Sequence, residues 1–260
     1  MINNLAYDFW HIICLKSIFE LIDIAYTLEL LYIERGRDMS PLWLSLWVAS
    51  IALIIVILSG LATCYWMNRC KWGGIAILDA LITLPLVLPP VVVGFALLMV
   101  FTPGYAFGAW LEAHGMSVVF AASGAVIASS VIAFPLFYQT VRSALQSVDH
   151  NMEDVARTLG ASELRIFFTI SVPLAWKGIL TGSILAFCRA MGEFGATILI
   201  AGNIPKVTRT MPLAIYSYVE AGQYMDAFEL VIYICVLTLA LLSGIHFITK
   251  GSLFHHIDNN

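Results

Sequence analysis

The chain has 260 residues, 60% of them hydrophobic and 12% charged, with a formal net charge of −4 and a mean hydropathy of +0.89. Soluble domains are roughly 45–50% apolar and about 25% charged, so the composition excludes one and indicates an all-α, polytopic membrane protein. No basic patch invites nucleic acid. The five cysteines have neither metal-ligand nor disulfide-framework spacing and read as small packing residues.

Residues 1–38 stand apart. Lys16, Glu20, Asp23 and Thr27 recur at helical spacing, with Ile13, Leu21, Ile24, Leu28 and Leu31 among the apolar positions. That pattern reads as an amphipathic extension lying on a membrane surface or on another helix. A sixth span over 12–33 is long enough but carries four charges. A third reading takes Met39, just before the first good span, as the start. The stretch lacks the basic start and unbroken apolar core of a cleavable signal peptide.

A membrane span needs about 20 apolar residues. Five segments qualify, at roughly 42–67, 75–101, 117–141, 178–201 and 227–248. Together they make a transmembrane domain over 39–250, with a polar tail at 251–260. Arg69 and Lys71 follow the first span, and Arg142, Arg157, Arg165 and Lys177 lie between the third and fourth. Lys250 follows the fifth. The positive-inside tendency puts these places, and the C-terminus, in the cytoplasm. Arg35 and Arg37 oppose this, but Glu34 and Asp38 flank them. The outer loops at 102–116 and 202–226 then hold only Lys206 and Arg209 as cations.

The second span contains Leu84-Pro85-Leu86-Val87-Leu88-Pro89-Pro90 and runs on to Gly94. Pro85, Pro89 and Pro90 remove three backbone donors and clash with preceding turns. Broken helix at membrane depth persists only where protein or a watery cavity satisfies the backbone. The run is therefore a pathway-lining kink or gate, or else a static packing kink. Gly94 and Gly104 allow another helix to come close in either case.

Between the third and fourth spans, residues 143–177 carry charges that cannot lie in hydrocarbon. Asp149 is placed to cap a short helix. Met152, Val155, Ala156 and Leu159 fall on one stripe of it, and Gly160 is placed to end it. Ser162 is placed to cap a second helix that begins near Glu163. The stripe either docks a partner or packs on the chain itself.

In the fourth span, Gly192-Glu193-Phe194-Gly195 follows Arg189, and an Arg and a Glu four residues apart can pair. An intramembrane charge is expensive unless paired or facing water. Paired in this way, Glu193 suits a structural or gating role better than substrate contact. Gly192 and Gly195 would let helices pack closely. Only Arg189 and Glu193 read as deep charges, which disfavours a secondary transporter with coupling charges in several spans. No catalytic triad or carboxylate pair stands out. The six histidines show no metal spacing beyond the adjacent His255 and His256, which read as a solvated tail. We expect no catalytic residue and no metal site.

The stretch Asp154-Val155-Ala156, three residues, Gly160, nine residues, Ile170-Ser171-Val172-Pro173 resembles the EAA loop of ABC importer permeases. Asp154 stands for the Glu, Val155 for the first Ala and Val172 for a Leu. Glu153, Asp154, Val155, Ala156, Leu159, Gly160, Ile170 and Pro173 are the expected ATPase-coupling set. The proline run, Gly192–Thr197, Asn203-Ile204-Pro205 and Thr208-Arg209-Thr210-Met211-Pro212 further resemble the membrane subunits of molybdate importers, over roughly 42–250. Sulfate permeases share part of the pattern, and molybdate cannot be told from tungstate on these motifs.

The resemblance implies a type I importer fold with five core transmembrane helices plus an N-terminal helix, in a bacterial inner membrane. It implies a homodimer lining the pathway, two ABC ATPases on the coupling loops, and a periplasmic or lipid-anchored binding protein that docks near Lys206 and Arg209. It places Pro85, Pro89, Pro90, Gly94, Gly192, Glu193 and Gly195 along the pathway. The chain has no G-x-x-x-x-G-K-[ST] loop, so no cofactor is expected on it, and ATP and magnesium belong to the partner ATPase.

Overall fold

A computed structural model describes residues 41–69 and 73–250, with side chains as far as residue 244. The amphipathic extension and the C-terminal tail lie outside the described residues. The elements are α1 (Pro41–Arg69), α2 (Ile75–Val87), α3 (Pro90–Phe101), α4 (Ala106–Ala113), α5 (Ala122–Gln146), α6 (His150–Thr158) and α7 (Glu163–Ile166). A π-helical turn, Phe167–Ser171, and a last turn, Val172–Leu174, extend α7. Then come α8 (Trp176–Met191), α9 (Gly195–Ile200), α10 (Met211–Glu220) and α11 (Tyr224–Lys250). The described residues contain no strand.

Three helices, α1, α5 and α11, are long and apolar enough to cross a bilayer unbroken. The other two expected spans are not continuous helices. Residues 75–101 form α2 and α3, bent by 112°, and the segment entering the membrane at α8 is bent by 76° from Glu163–Leu174. The expected fourth span also stops at Met191 and resumes at Gly195. The third starts later than expected, at Ala122, and runs on to Gln146, so the polar segment begins at Ser147 rather than 143.

The cause of the larger corner is local. A residue before proline is pushed out of the α region. Leu88 precedes Pro89 and has ψ 144°, and Pro89 precedes Pro90 and has ψ 133°. Two consecutive extended residues end one helix and aim the next elsewhere. Pro90 then occupies the first helical position of α3, where no donor is needed.

Helix α5 is the central post. Its small residues Ala125, Ala128, Ser129 and Ala133 are buried, as are Phe137 and Tyr138. One apolar cluster joins α1, α5 and α8 around Val56, Phe137, Val141 and Ala186. A second joins α1, α3, α5 and α9 around Val48, Val93, Val126 and Ile200. Close packing uses absent side chains. A Cβ on Gly60 would lie 2.5 Å from the Phe137 ring, and one on Gly178 would lie 2.2 Å from the Ala144 Cβ. Gly104 plays no such part, since its nearest neighbour is the Thr102 methyl of its own turn. The described cysteines differ in burial: Cys64 is buried, Cys188 half-buried and Cys235 exposed. The packing expectation thus fails at Cys235, on the outer face of α11.

Candidate coupling segment and pathway break

Helix α6 forms where the sequence places it. The Asp149 side chain accepts from the Asn151 N–H at 2.9 Å and caps the first turn. At the other end Gly160 has φ +81°. Its N–H donates to the Arg157 carbonyl at 3.0 Å, and the Ala161 N–H donates to Ala156 at 3.1 Å. This is the paired-bond Schellman stop, and its left-handed residue suits glycine. Ser162 occupies the cap position of α7, but its hydroxyl makes no capping bond. Its extended backbone alone starts that helix.

The apolar stripe has no cover among the described residues. Met152 is 52% exposed, Val155 59% and Leu159 82%, while Ala156 is half-buried. Among the described residues the stripe does not pack on the chain itself. The charged side of the segment is tied down instead. Arg157 donates to Asp154 at 2.5 Å and, through Nε, to Glu163 at 2.7 Å. Arg69, at the end of α1, reaches the other Glu163 oxygen at 2.6 Å. The Arg157 guanidinium, with Arg69 behind it, holds the Glu163 carboxyl below the usual range. A depressed carboxyl contributes above its ordinary titration range, and that contribution fades as pH falls through the folded value.

Glu153 crosses to the second arm, accepting from the Ser171 hydroxyl at 2.6 Å. The neighbour of Asp154, rather than Asp154 itself, bridges the two arms. Ser171 is buried inside the π turn, Ile170 is half-buried and Pro173 is exposed. In that turn the Val172 N–H reaches the Phe167 carbonyl, one residue further back than in an α-helix.

The proline corner and the fourth-span break meet. A Cβ on Gly94 would sit 2.6 Å from the Ala196 Cα and 2.9 Å from its carbonyl oxygen. A Cβ on Gly195 would sit 3.0 Å from the Pro90 Cβ. Helix α3 therefore lies directly on α9. Glu193 is 2% exposed. It pairs with Arg189 at 2.6 Å and accepts from the Ala196 N–H at 2.8 Å. It both neutralises Arg189 and caps α9. Gly192 lies apart from this contact: it is exposed at the end of α8 and brings no helix close. Pro85 is half-buried within α2.

In the 201–210 loop, Thr208 is buried and its hydroxyl accepts from the Ile204 N–H at 3.0 Å. Arg209 Nε donates to Asn203 at 2.9 Å, and the Asn203 amide donates to Ser217 at 2.7 Å. Lys206 is exposed, with φ +69°. Arg209 thus braces its own loop. Among the described residues no group of side chains could hold a metal ion.

Residues 67–249 match the family described as binding-protein-dependent transport system inner membrane component. The chain belongs to this family. It is 43% identical over 211 residues to a putative molybdenum transport system permease protein, YvgM, of Bacillus subtilis, covering 81% of this chain and 93% of that one. It is 42% identical over 200 residues to the molybdenum transport system permease protein ModB of Escherichia coli K12, covering 76% and 86%. Among solved structures, a bacterial alginate ABC transporter aligns with a TM-score of 0.65 and 13% identity, over 95% of this chain and 92% of that one. The MetNI methionine ABC transporter aligns with a TM-score of 0.60 and 15% identity, over 80% and 93%. These likenesses establish the type I importer permease fold.

For a permease subunit, sequence reading overlooked three groups of polar side chains. Asp79, inside the second apolar stretch, pairs with Arg142 and Tyr138. A lone carboxylate in an apolar run is a readable signal. Glu163 with Arg69, and Ser171 with Glu153, join residues 94 and 18 positions apart in the chain. No spacing rule announces such pairs.

Proposed function

We propose that this chain is the membrane subunit of an ATP-driven importer for molybdate in a bacterial inner membrane. Two copies form the translocation path. Two separate ABC ATPases, which carry the ATP and magnesium, engage the two α6 segments from the cytoplasm. A periplasmic or lipid-anchored binding protein delivers the oxyanion at the face bearing the 201–210 loop. The chain itself contributes no hydrolytic group.

The observation that carries this reading is the bare apolar stripe Met152, Val155 and Leu159 on a helix otherwise fixed by a cap, a glycine stop and ion pairs. An exposed apolar row costs solubility unless a partner covers it, and bracing a helix in advance lowers the ordering cost of docking. The molybdate assignment is supported by relatives named for molybdenum transport that match over at least 86% of their length. The path is assigned alongside the α3–α9 contact, where Pro90, Gly94, Glu193 and Gly195 converge. Its deep charges, Arg189 and Glu193, neutralise each other, so a dianion would meet a wall that neither traps nor repels it strongly.

The test is uptake into proteoliposomes holding the permease, its ATPase and its binding protein. We expect ATP-dependent accumulation of labelled molybdate, blocked by unlabelled molybdate and not by equal sulfate. Competition by tungstate would assign the path to both dianions. Leu159→Asp should abolish uptake and ATPase co-purification while the permease still reaches the membrane, because that side chain makes little contact within its own chain. Normal uptake by Leu159→Asp would sink the docking assignment.

A further inference from the structure

We infer that Asp79, Arg142 and Tyr138 form a latch that positions α2 during transport, and that Asp79 and Arg142 are positioning residues of the transport cycle. This rests on reading the α2–α3 corner as part of the translocation path.

Helix α2, like α6, is shallowly seated. None of its residues is buried. Ile77, Leu81, Leu84 and Val87 are exposed on one side. Ile75, Leu78 and Ile82 lie half-buried on the other, against the cluster built on α5. Asp79 lies three residues before Ile82 and four after Ile75, so it shares that inner stripe. There it accepts from the Tyr138 hydroxyl at 2.8 Å and from Arg142 Nη1, and the same Arg142 nitrogen donates to the Tyr138 oxygen at 3.0 Å. Asp79 and Arg142 side chains are 38% and 23% exposed. Beyond the corner, by contrast, α3 is seated on α9 through Gly94 with no side chain between.

The two halves of this span are therefore held differently. One is locked by backbone contact. The other is held by half-buried apolar side chains and one polar triad around a corner of 112°. A triad of this kind has two discrete states, joined or parted, and partly buried charges part only at a cost. That is the property needed by an element that must hold one position and then give it up. Arg142 sits at the end of α5, only seven residues before Asp149, the cap of α6. Movement of the coupling segment thus has a short covalent route to the latch.

The experiment uses the reconstituted permease–ATPase complex with its binding protein. Asp79→Asn and Arg142→Gln should each lower uptake per ATP hydrolysed by about tenfold, with ATP hydrolysis itself within about twofold of wild type. The exchange Asp79→Arg with Arg142→Asp should recover at least about half of the lost coupling, as expected for an interacting pair. Tyr138→Phe, which keeps the ring, should cost about two- to threefold. A second readout needs no substrate. In a background without native cysteines, Ile82→Cys should react several-fold faster with a water-soluble thiol reagent when Asp79→Asn is added, and slow again in the exchange variant.

Faster labelling with unchanged coupling would overturn the proposal, making the triad a static brace. So would single variants that couple normally, or an exchange that restores nothing. If Asp79→Asn and Arg142→Gln fail to assemble while Tyr138→Phe behaves as wild type, the latch is likewise overturned. Failure of wild-type molybdate uptake would instead count against the substrate assignment, since the labelling readout is independent of it.

Discussion

The corner at Leu88–Pro89 and the break at Gly192–Phe194 interrupt apolar segments by opposite chemistry. The first subtracts: two prolines withhold donors and force two extended residues, and nothing charged is involved. The second adds: a buried carboxylate supplies an acceptor for the Ala196 N–H and a partner for Arg189. The first is written in the local chain. The second stands only while its tertiary partners stand, because an unpaired buried charge is intolerable. The two meet at Gly94 and Ala196, so one contact joins a self-sufficient break to a dependent one.

The glutamate break should therefore be the more fragile. Glu193→Ala leaves the Ala196 N–H unsatisfied and Arg189 unpaired. We expect a loss of roughly 2–3 kcal/mol, below the figure for a fully buried pair because Arg189 remains partly exposed. Glu193→Gln keeps an acceptor for the N–H and should lose about half as much. Thermal unfolding of the detergent-purified complex measures both. Equal losses for Ala and Gln would show that the capping bond contributes nothing.

The contrast also explains what could be read in advance. The helical class, the number of apolar segments, the cap at Asp149 and the stop at Gly160 follow from local rules, and all appear in the structure. The proline corner was legible as an interruption, but not its angle, which depends on where α3 finds a seat. Arg189 and Glu193 were legible as a pair from their spacing. That Glu193 also caps α9 was not, because the helix restart at Gly195 has no sequence mark other than a glycine. The exposure of Val155 and Leu159 could not be read either, since an amphipathic stripe looks the same whether it is covered or bare. Asp79 is legible as a lone carboxylate in an apolar run dominated by prolines. Its partners, 59 and 63 residues away, were not legible at all.

The seat between the two breaks gives an intermediate effect. Gly94→Ala drives a methyl into the Ala196 backbone, which cannot rotate aside as a side chain can. Overpacking of this kind costs roughly 1–3 kcal/mol, and α3 should lift from α9. Gly195→Ala meets Pro90 at 3.0 Å rather than backbone at 2.6 Å and should cost less. The same unfolding assay ranks them. A Gly94→Ala complex as stable as wild type would mean that the two breaks are not mechanically joined.

The smallest effect belongs to the proline corner. Pro89→Ala frees Leu88 from its pre-proline restriction, but Pro90 still holds residue 89 extended. The Pro89 carbonyl, which accepts from the Val92 N–H at 2.9 Å, is retained on substitution. The restored N–H belongs to the residue before the first turn, where no intrahelical bond was lost. What remains is the added freedom of the unfolded chain, so the loss should stay under about 1 kcal/mol. Replacing Pro90 as well removes the second restriction, and α2 can then extend through the corner. The double variant should therefore lose more than the sum of the singles, a signature of two residues acting on one bend. Simple additivity would mean that the corner is imposed by the α3–α9 seat, and the contrast between an intrinsic and a dependent break would then fall.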